Sequence, residues 1–224
     1  MSSIILIRHA QASLGKSNYD ELSELGLKQA TLLGEYLKRT ELEPAAIITG
    51  DMVRHQQTAN KLTTALSGNI SLHQNKDWNE FDFKKLIQSY LSKFPNETPS
   101  AGDIRAFFTI LKKTMLAWSK DELNHEKGEF ESWEDFSTRI SRAIASVSVD
   151  SEKPTLVVSS GGAISMLLMQ ILDVTPKTMI DMNFQIRNTS FTEILSRPHK
   201  KNLVAFNQIN HLIEHRDKTM ITYA

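Results

Sequence analysis

The 224-residue chain contains no cysteine, which excludes disulfides, thiol catalysis and Cys-ligated metal and is compatible with a reducing compartment. It also lacks a charge of one sign. The 26 Lys+Arg balance 26 Asp+Glu, so no overall field draws it to nucleic acid or anionic lipid. No apolar run is long enough for a membrane span, and the N-terminus enters a strand-like run with no basic leader before it. The expectation is a soluble cytoplasmic protein whose partners include neither nucleic acid nor membrane. Repeats, low-complexity stretches and a credible linker are missing too, so one domain over 1–224 is expected, long enough to bury a core without staples.

What is present is organised around Ile4-Ile5-Leu6-Ile7-Arg8-His9-Ala10. Four consecutive aliphatic residues predict a strand buried on both faces, and the Arg-His pair stands at its carboxyl end, where open α/β sheets place ligands. Gln11 to Asn18, with Gly15, reads as a loop across that tip. Ser23 can cap a helix reaching about Arg39, with Leu27, Ala30, Leu33 or Gly34, and Leu37 at helical spacing. Ala45–Thr49 is a second strand, Gly50-Asp51 turns it into a helix, and Arg54 falls in that helix's first turn. A third short strand around Ile70–Leu72 leads to Trp78-Asn79-Glu80-Phe81-Asp82.

The segment from about 81 to 131 has a different texture and is expected to form a helical insertion above the sheet. Its stripe Ile104, Phe107 or Phe108, Leu111, Met115 and Trp118 fits either plain core packing or a site wall, and Tyr90, Phe94 and Phe107 either an apolar approach or the insertion's own core. Ser132 starts the next helix, and Thr155–Ser159 is a second strongly buried strand running into Ser160-Gly161-Gly162 and an apolar helix. Such a junction aims unpaired N–H groups and the positive end of a helix dipole at the strand tip, which suits an anion. Pro176 opens a short helix. Two late strands, 189–195 and 203–206, suggest a hairpin across 197–200. His211, His215 and the C-terminal tail read as surface or packing groups. The alternation predicts a three-layer α/β/α sandwich with a mostly parallel central sheet.

Arg8, His9, Arg54 and Glu80, with the glycine-opened helix at 160–162, come from four strand ends that such a sheet would gather. Guanidinium forks and helix N–H groups imply an anion, and a histidine beside them suits phosphoryl transfer. Taken singly, each residue has a plain structural reading.

Leu6-Ile7-Arg8-His9-Ala10, Leu22-Ser23-x-x-Gly26-x-x-Gln29-Ala30, Arg54-His55-Gln56-Gln57-Thr58-Ala59 and Val157-Val158-Ser159-Ser160-Gly161-Gly162-Ala163 together resemble the histidine phosphatase superfamily, the phosphoglycerate mutase-like family. Glu131-Ser132 leading to Arg139, and Asn188-Thr189-Ser190, resemble its later landmarks. The resemblance implies a phosphoric monoester hydrolase working through a phosphohistidine, with no metal or other cofactor and a small phosphorylated substrate or inorganic phosphate as ligand. His9 would be the nucleophile, Glu80 the acid and then the base, with Asp82 as its alternative. Arg8, Arg54, Ser160 and Gly161 would hold the phosphoryl group.

One departure stands out. Where the family has Ser-His-Gly-Gly, this chain has Ser159-Ser160-Gly161-Gly162, so Ser160 takes the place of the second histidine. A hydroxyl there is shorter and carries no charge, which leaves room for a water and weakens the pocket. Three readings follow: a slow phosphatase, a silent member that binds a phosphorylated ligand or a protein, and a competent enzyme in which Ser160 is a strain-specific or engineered change. Mutase-type transfer is a further alternative, although the 81–131 segment matches no mutase pattern. Oligomeric state and substrate are not legible.

Overall fold

The computed structural model describes residues 2–13, 20–66, 70–100, 102–123, 129–148, 152–197 and 200–223. Strand β1 (Ser2–Arg8) lies inside a six-stranded sheet, and Ile4, Ile5, Leu6 and Ile7 are all buried. Both faces are covered by helices, which is why this strand reads as a continuous apolar run. β1 pairs in parallel with β4 (Thr155–Ser159), β4 with β2 (Ala46–Thr49), and β2 with β3 (Ser71–Gln74). On its other side β1 pairs antiparallel with β5 (Phe191–Arg197), which pairs with β6 (Lys200–Gln208). The order β3-β2-β4-β1-β5-β6 is the predicted mostly parallel sheet, closed at one edge by the late hairpin.

Alternate side chains of the inner strands feed two cores. Ile5, Ile7, Ile47, Leu156 and Val158 pack with Leu33, Leu37, Ala59 and Leu62 of α1 (Glu24–Arg39) and α2 (Val53–Ala65). Ile4, Leu6 and Val157 face the other way, against Phe136, Ile140, Ala163, Leu167 and Met179 of α5 (Trp133–Ala145), α6 (Gly161–Leu172) and α7 (Pro176–Asn183). These are the three layers of the sandwich. The predicted caps hold: the Ser23 side chain accepts from Gly26 N–H, and that of Ser132 from Asp135 N–H.

The inserted segment carries α3 (Phe83–Lys93) and α4 (Ile104–Trp118). Its apolar stripe does not serve one purpose. Met115 and Trp118 enter the core beside Phe81 and Phe136, whereas Ile104 at the other end is 61% exposed. Leu27 also departs from expectation at 39% exposed, because the buried face of α1 is built by Gly26, Gln29, Ala30, Leu33, Gly34 and Leu37. Gln29 is buried without penalty because its amide accepts from Gln11 N–H and donates to Met220 O and Thr222 Oγ1. Gly26 lies so close beneath the first loop that a Cβ there would come within 2.1 Å of Gln11 O. Of the loop expected over 11–18, residues 14–18 lie outside the described residues, as do Gly128 and the 198–199 turn of the hairpin.

Candidate active site

The parallel register sets the strand tips level, with Arg8 opposite Ser159 and Thr49 opposite Val158. Each tip delivers one part of a pocket lined by Arg8, His9, Arg54, Glu80 and Gly161 at its floor. These five predicted residues are therefore brought together by the sheet.

His9 directly follows β1 and is 5% exposed. Its Nδ1 lies 2.7 Å from the carbonyl of Ala10, an acceptor that fixes the proton on Nδ1 and leaves a lone pair on Nε2. Arg54 Nε donates to that Nε2 at 3.2 Å. Burial, then the cations of Arg54 and Arg8 and the ring of His55, hold His9 well below the usual histidine range, so the ring is neutral. The tip itself is pinned: His9 N–H donates to Ser159 O, Asn188 Nδ2 to His9 O, and Ala10 N–H to Thr58 Oγ1.

Arg54 reaches the floor from the first turn of α2. Asp20 Oδ1 accepts from its Nη1 at 2.6 Å while Asp20 Oδ2 accepts from Val53 N–H, so one carboxylate orients the guanidinium and caps a helix whose own N-cap, Met52, makes no side-chain bond. Arg8 Nη1 donates to Ile186 O.

Glu80 follows β3 and a short turn. Its Oε2 accepts from Gly162 N–H at 3.0 Å and its Oε1 from Phe81 N–H at 3.2 Å. Burial nonetheless raises its pKa above the usual carboxylate value, against those N–H groups and the two arginines, which favours the protonated form. A Cβ on Gly162 would fall 2.1 Å from Glu80 Oε1 and 2.5 Å from the Phe81 ring; glycine is required there for close approach. Behind Glu80, Arg139 donates to Asp77 O and Asn79 O and pairs with Glu131, so α5 fixes the turn that carries Glu80. Asp82, the alternative acid, is exposed: it accepts from Lys85 N–H as the cap of α3 and pairs with Lys85.

Ser160 does not line the pocket. It is fully buried, and its Oγ lies 2.6 Å from Nε2 of His55. The space that the sequence left for a water beside this hydroxyl is filled by an imidazole.

The wall above the floor is aromatic: Phe81, Phe83, Phe107, Phe108, Leu111, Phe184 and Tyr223, with Asn183. Of the three aromatic residues expected for an apolar approach, Phe107 lines this wall, whereas Tyr90 and Phe94 pack on each other with ring centroids 4.8 Å apart and do not line it. The tail contributes more than packing, since Tyr223 lines the pocket and Thr222 O accepts from Asn188 N–H. His211, read as a packing group, is one: Thr189 Oγ1 bonds its Nε2 at 2.9 Å. Sequence reasoning missed Asp20, His55, Asn183, Phe184 and Tyr223. Only His55 carried a signal, through its place next to Arg54.

Over residues 4–209 the sequence matches the model of the histidine phosphatase superfamily, branch 1. The chain belongs to that superfamily. No curated protein matches it in sequence. Among solved structures it is similar to a mutant phosphoserine phosphatase from Entamoeba histolytica in complex with phosphoserine, at 23% identity and TM-score 0.66, covering 95% of this chain and 100% of that one. Phosphoglycerate mutase from Bacillus anthracis matches at 19% identity and TM-score 0.66, over 96% and 98%. A mycobacterial glucosyl-3-phosphoglycerate phosphatase matches at 22% and 0.62, over 92% and 99%. The histidine phosphatase fold thus extends through nearly the whole chain, and among the described residues no helix is long and apolar enough to cross a membrane.

Proposed function

We propose that this protein is a phosphoric monoester hydrolase acting through a phosphohistidine, on substrates whose alcohol portion is apolar or aromatic. The observation that carries the reading is His9: a buried neutral imidazole, its Nδ1 proton engaged by Ala10 O and its Nε2 lone pair turned to the Arg54 guanidinium. Nε2 attacks phosphorus and the P–O bond to the alcohol breaks. Arg8 and Arg54, with the N-terminus of α6 at Gly161, balance the charge on the three phosphoryl oxygens. Glu80, whose burial favours the protonated form, gives its proton to the departing alkoxide. As a carboxylate it then takes a proton from water, whose oxygen attacks the phosphohistidine; phosphate leaves and neutral His9 returns. No step calls on a metal or other cofactor.

The wall favours hydrolysis over phosphoglycerate mutase-type transfer. A phosphoglycerate carries a carboxylate that needs a cation of its own, and the arginines among the described lining residues, Arg8 and Arg54, both stand on the floor. Aromatic rings instead supply apolar contact to an aryl or alkyl group.

The test is turnover of p-nitrophenyl phosphate, with a phosphohistidine trapped by acid-free quench and ³¹P NMR. Wild-type protein turns over and forms the adduct, and His9→Ala does neither. A wild type that binds orthovanadate but hydrolyses no phosphomonoester refutes hydrolysis and favours a phosphate-binding role.

A further inference from the structure

The wall of the pocket is apolar except at two residues, Asn183 and Tyr223. The Tyr223 hydroxyl is engaged, 3.4 Å from Arg187 Nε. Asn183 is different. Its Nδ2 lies 3.8 Å from Met115 Sδ, a weak acceptor, and among the described residues no donor meets its Oδ1. It is the last residue of α7, yet its side chain does not cap that helix, because the backbone N–H of Phe184 reaches Ile180 O and Met182 O. A leucine beside Phe184 and Phe108 would leave no polar atom to satisfy, so packing alone does not account for an amide on this wall.

The amide stands where wall meets floor. A Cβ on Gly161 would fall 2.7 Å from Asn183 Oδ1 and 3.7 Å from Arg8 Nε, so the amide oxygen and the guanidinium flank the glycine that opens α6. One residue on, Gly162 N–H donates to Glu80. The proposed acid and the amide oxygen are thus set over neighbouring residues of one helix N-terminus. With its NH₂ turned to Met115, Asn183 offers this corner an acceptor, which calls for a donor on the substrate. Arg8 decides its kind: an ammonium would be repelled by the guanidinium across the same glycine, whereas a neutral hydroxyl would not.

We infer that Asn183 is a specificity residue of this pocket: its Oδ1 accepts from a hydroxyl on the carbon next to the ester-bearing carbon, so that the preferred substrate is the monophosphate of a vicinal diol or ortho-diphenol whose remainder is apolar. This rests on the hydrolase reading and narrows it. Glu80 meets the ester oxygen, Asn183 the neighbouring hydroxyl, and the rings the rest of the alcohol.

The experiment measures kcat/KM for catechol monophosphate and for phenyl phosphate, which differ by that one hydroxyl, in the wild type, Asn183→Leu and Asn183→Asp, with melting temperatures alongside. The ratio of the two values is compared between proteins, so that the intrinsic reactivity of the esters cancels. Asn183→Leu lowers the catechol-to-phenyl ratio by about 3- to 10-fold, as loss of one neutral hydrogen bond implies. Asn183→Asp keeps an acceptor and therefore keeps the wild-type ratio, while its charge weakens both phosphates together. A residue that only supports the wall would lower both esters alike on Asn183→Leu.

An unchanged ratio in Asn183→Leu overturns the inference, as does an Asn183→Asp ratio that falls with it. If Asn183→Leu does not fold, Asn183→Ala takes its place with the same expectation. If the wild type hydrolyses neither ester, the hydrolase reading fails and calorimetric Kd values decide the role of Asn183 separately. Tighter binding of catechol monophosphate than of phenyl phosphate, lost in Asn183→Leu, supports it, and equal or undetectable binding overturns it.

Discussion

The floor and the wall of this pocket are built on different principles. On the floor each polar side chain has a fixed partner: His9 in Ala10 O, Arg54 in Asp20, Arg8 in Ile186 O and Glu80 in Gly162 N–H. The wall is rings in contact, Phe83 with Phe107 at 6.3 Å, Phe107 with Phe108 at 5.4 Å and Phe108 with Phe184 at 6.1 Å. A charge that develops in a transition state is stabilised only by dipoles already aimed at it, so the floor has to be pre-organised. Apolar contact has no direction and tolerates adjustment. The floor should therefore govern kcat, and the wall KM.

The largest break in that division comes from the floor. His9→Ala removes the proposed nucleophile and should lower kcat for p-nitrophenyl phosphate by about 10⁴-fold or more, measured against a wild-type melting temperature that shows the fold intact. Next is Glu80→Gln, where leaving-group chemistry sharpens the comparison. Its loss should reach about 10²–10⁴-fold for a poor leaving group such as an alkyl phosphate and be smaller in the first step for p-nitrophenyl phosphate, whose leaving oxygen needs little protonation. Because burial raises the Glu80 pKa, the first step weakens as pH rises through that raised value and the acid is lost. The variant should lose this limb of the pre-steady-state pH profile.

A smaller effect is expected from the wall. Phe107→Ala or Phe108→Ala should raise KM for aryl phosphates by about 3- to 30-fold, as removal of part of a buried ring contact implies, and leave kcat within about twofold. A kcat loss as large as that of Glu80→Gln would abolish the distinction between floor and wall.

Smallest is a stability effect. His9, His55 and His211 are held below the usual histidine range, His211 at about 3 and by burial first in each case. The unfolded chain, with histidines near pH 6.5, then binds protons that the folded chain refuses. The stability these neutral rings contribute is present above about pH 6.5 and falls as the pH drops below it. Thermal unfolding from pH 8 to pH 5 should show a falling melting temperature, with a shallower slope in His211→Gln.

Much of the floor was legible because it lies next to strong strand signals. An aliphatic run that ends in Arg8-His9 and another that ends in Ser159-Ser160-Gly161-Gly162 announce both the sheet and its tips, and a parallel sheet gathers its carboxyl ends. The wall was only half legible. The stripe on α4 carried the right period, but period says which residues share a helix face and not whether that face meets a core or a cavity. Phe184 and Tyr223 carried no pattern.

Sequence by itself determined the α/β/α class, the strand ends that matter and the residue types gathered there, because burial on both faces and helix caps are written in local spacing. Tertiary structure alone decided three things: that Asp82 caps a helix while Glu80 lines the pocket, that Asp20 holds Arg54, and that Ser160 meets His55. Each joins residues separated along the chain, and neither propensity nor periodicity encodes where two distant side chains meet once the layers have packed. At Ser160 this changes the chemistry most: what reads as a missing imidazole in one strand–helix junction is, in space, a hydroxyl with an imidazole 2.6 Å away.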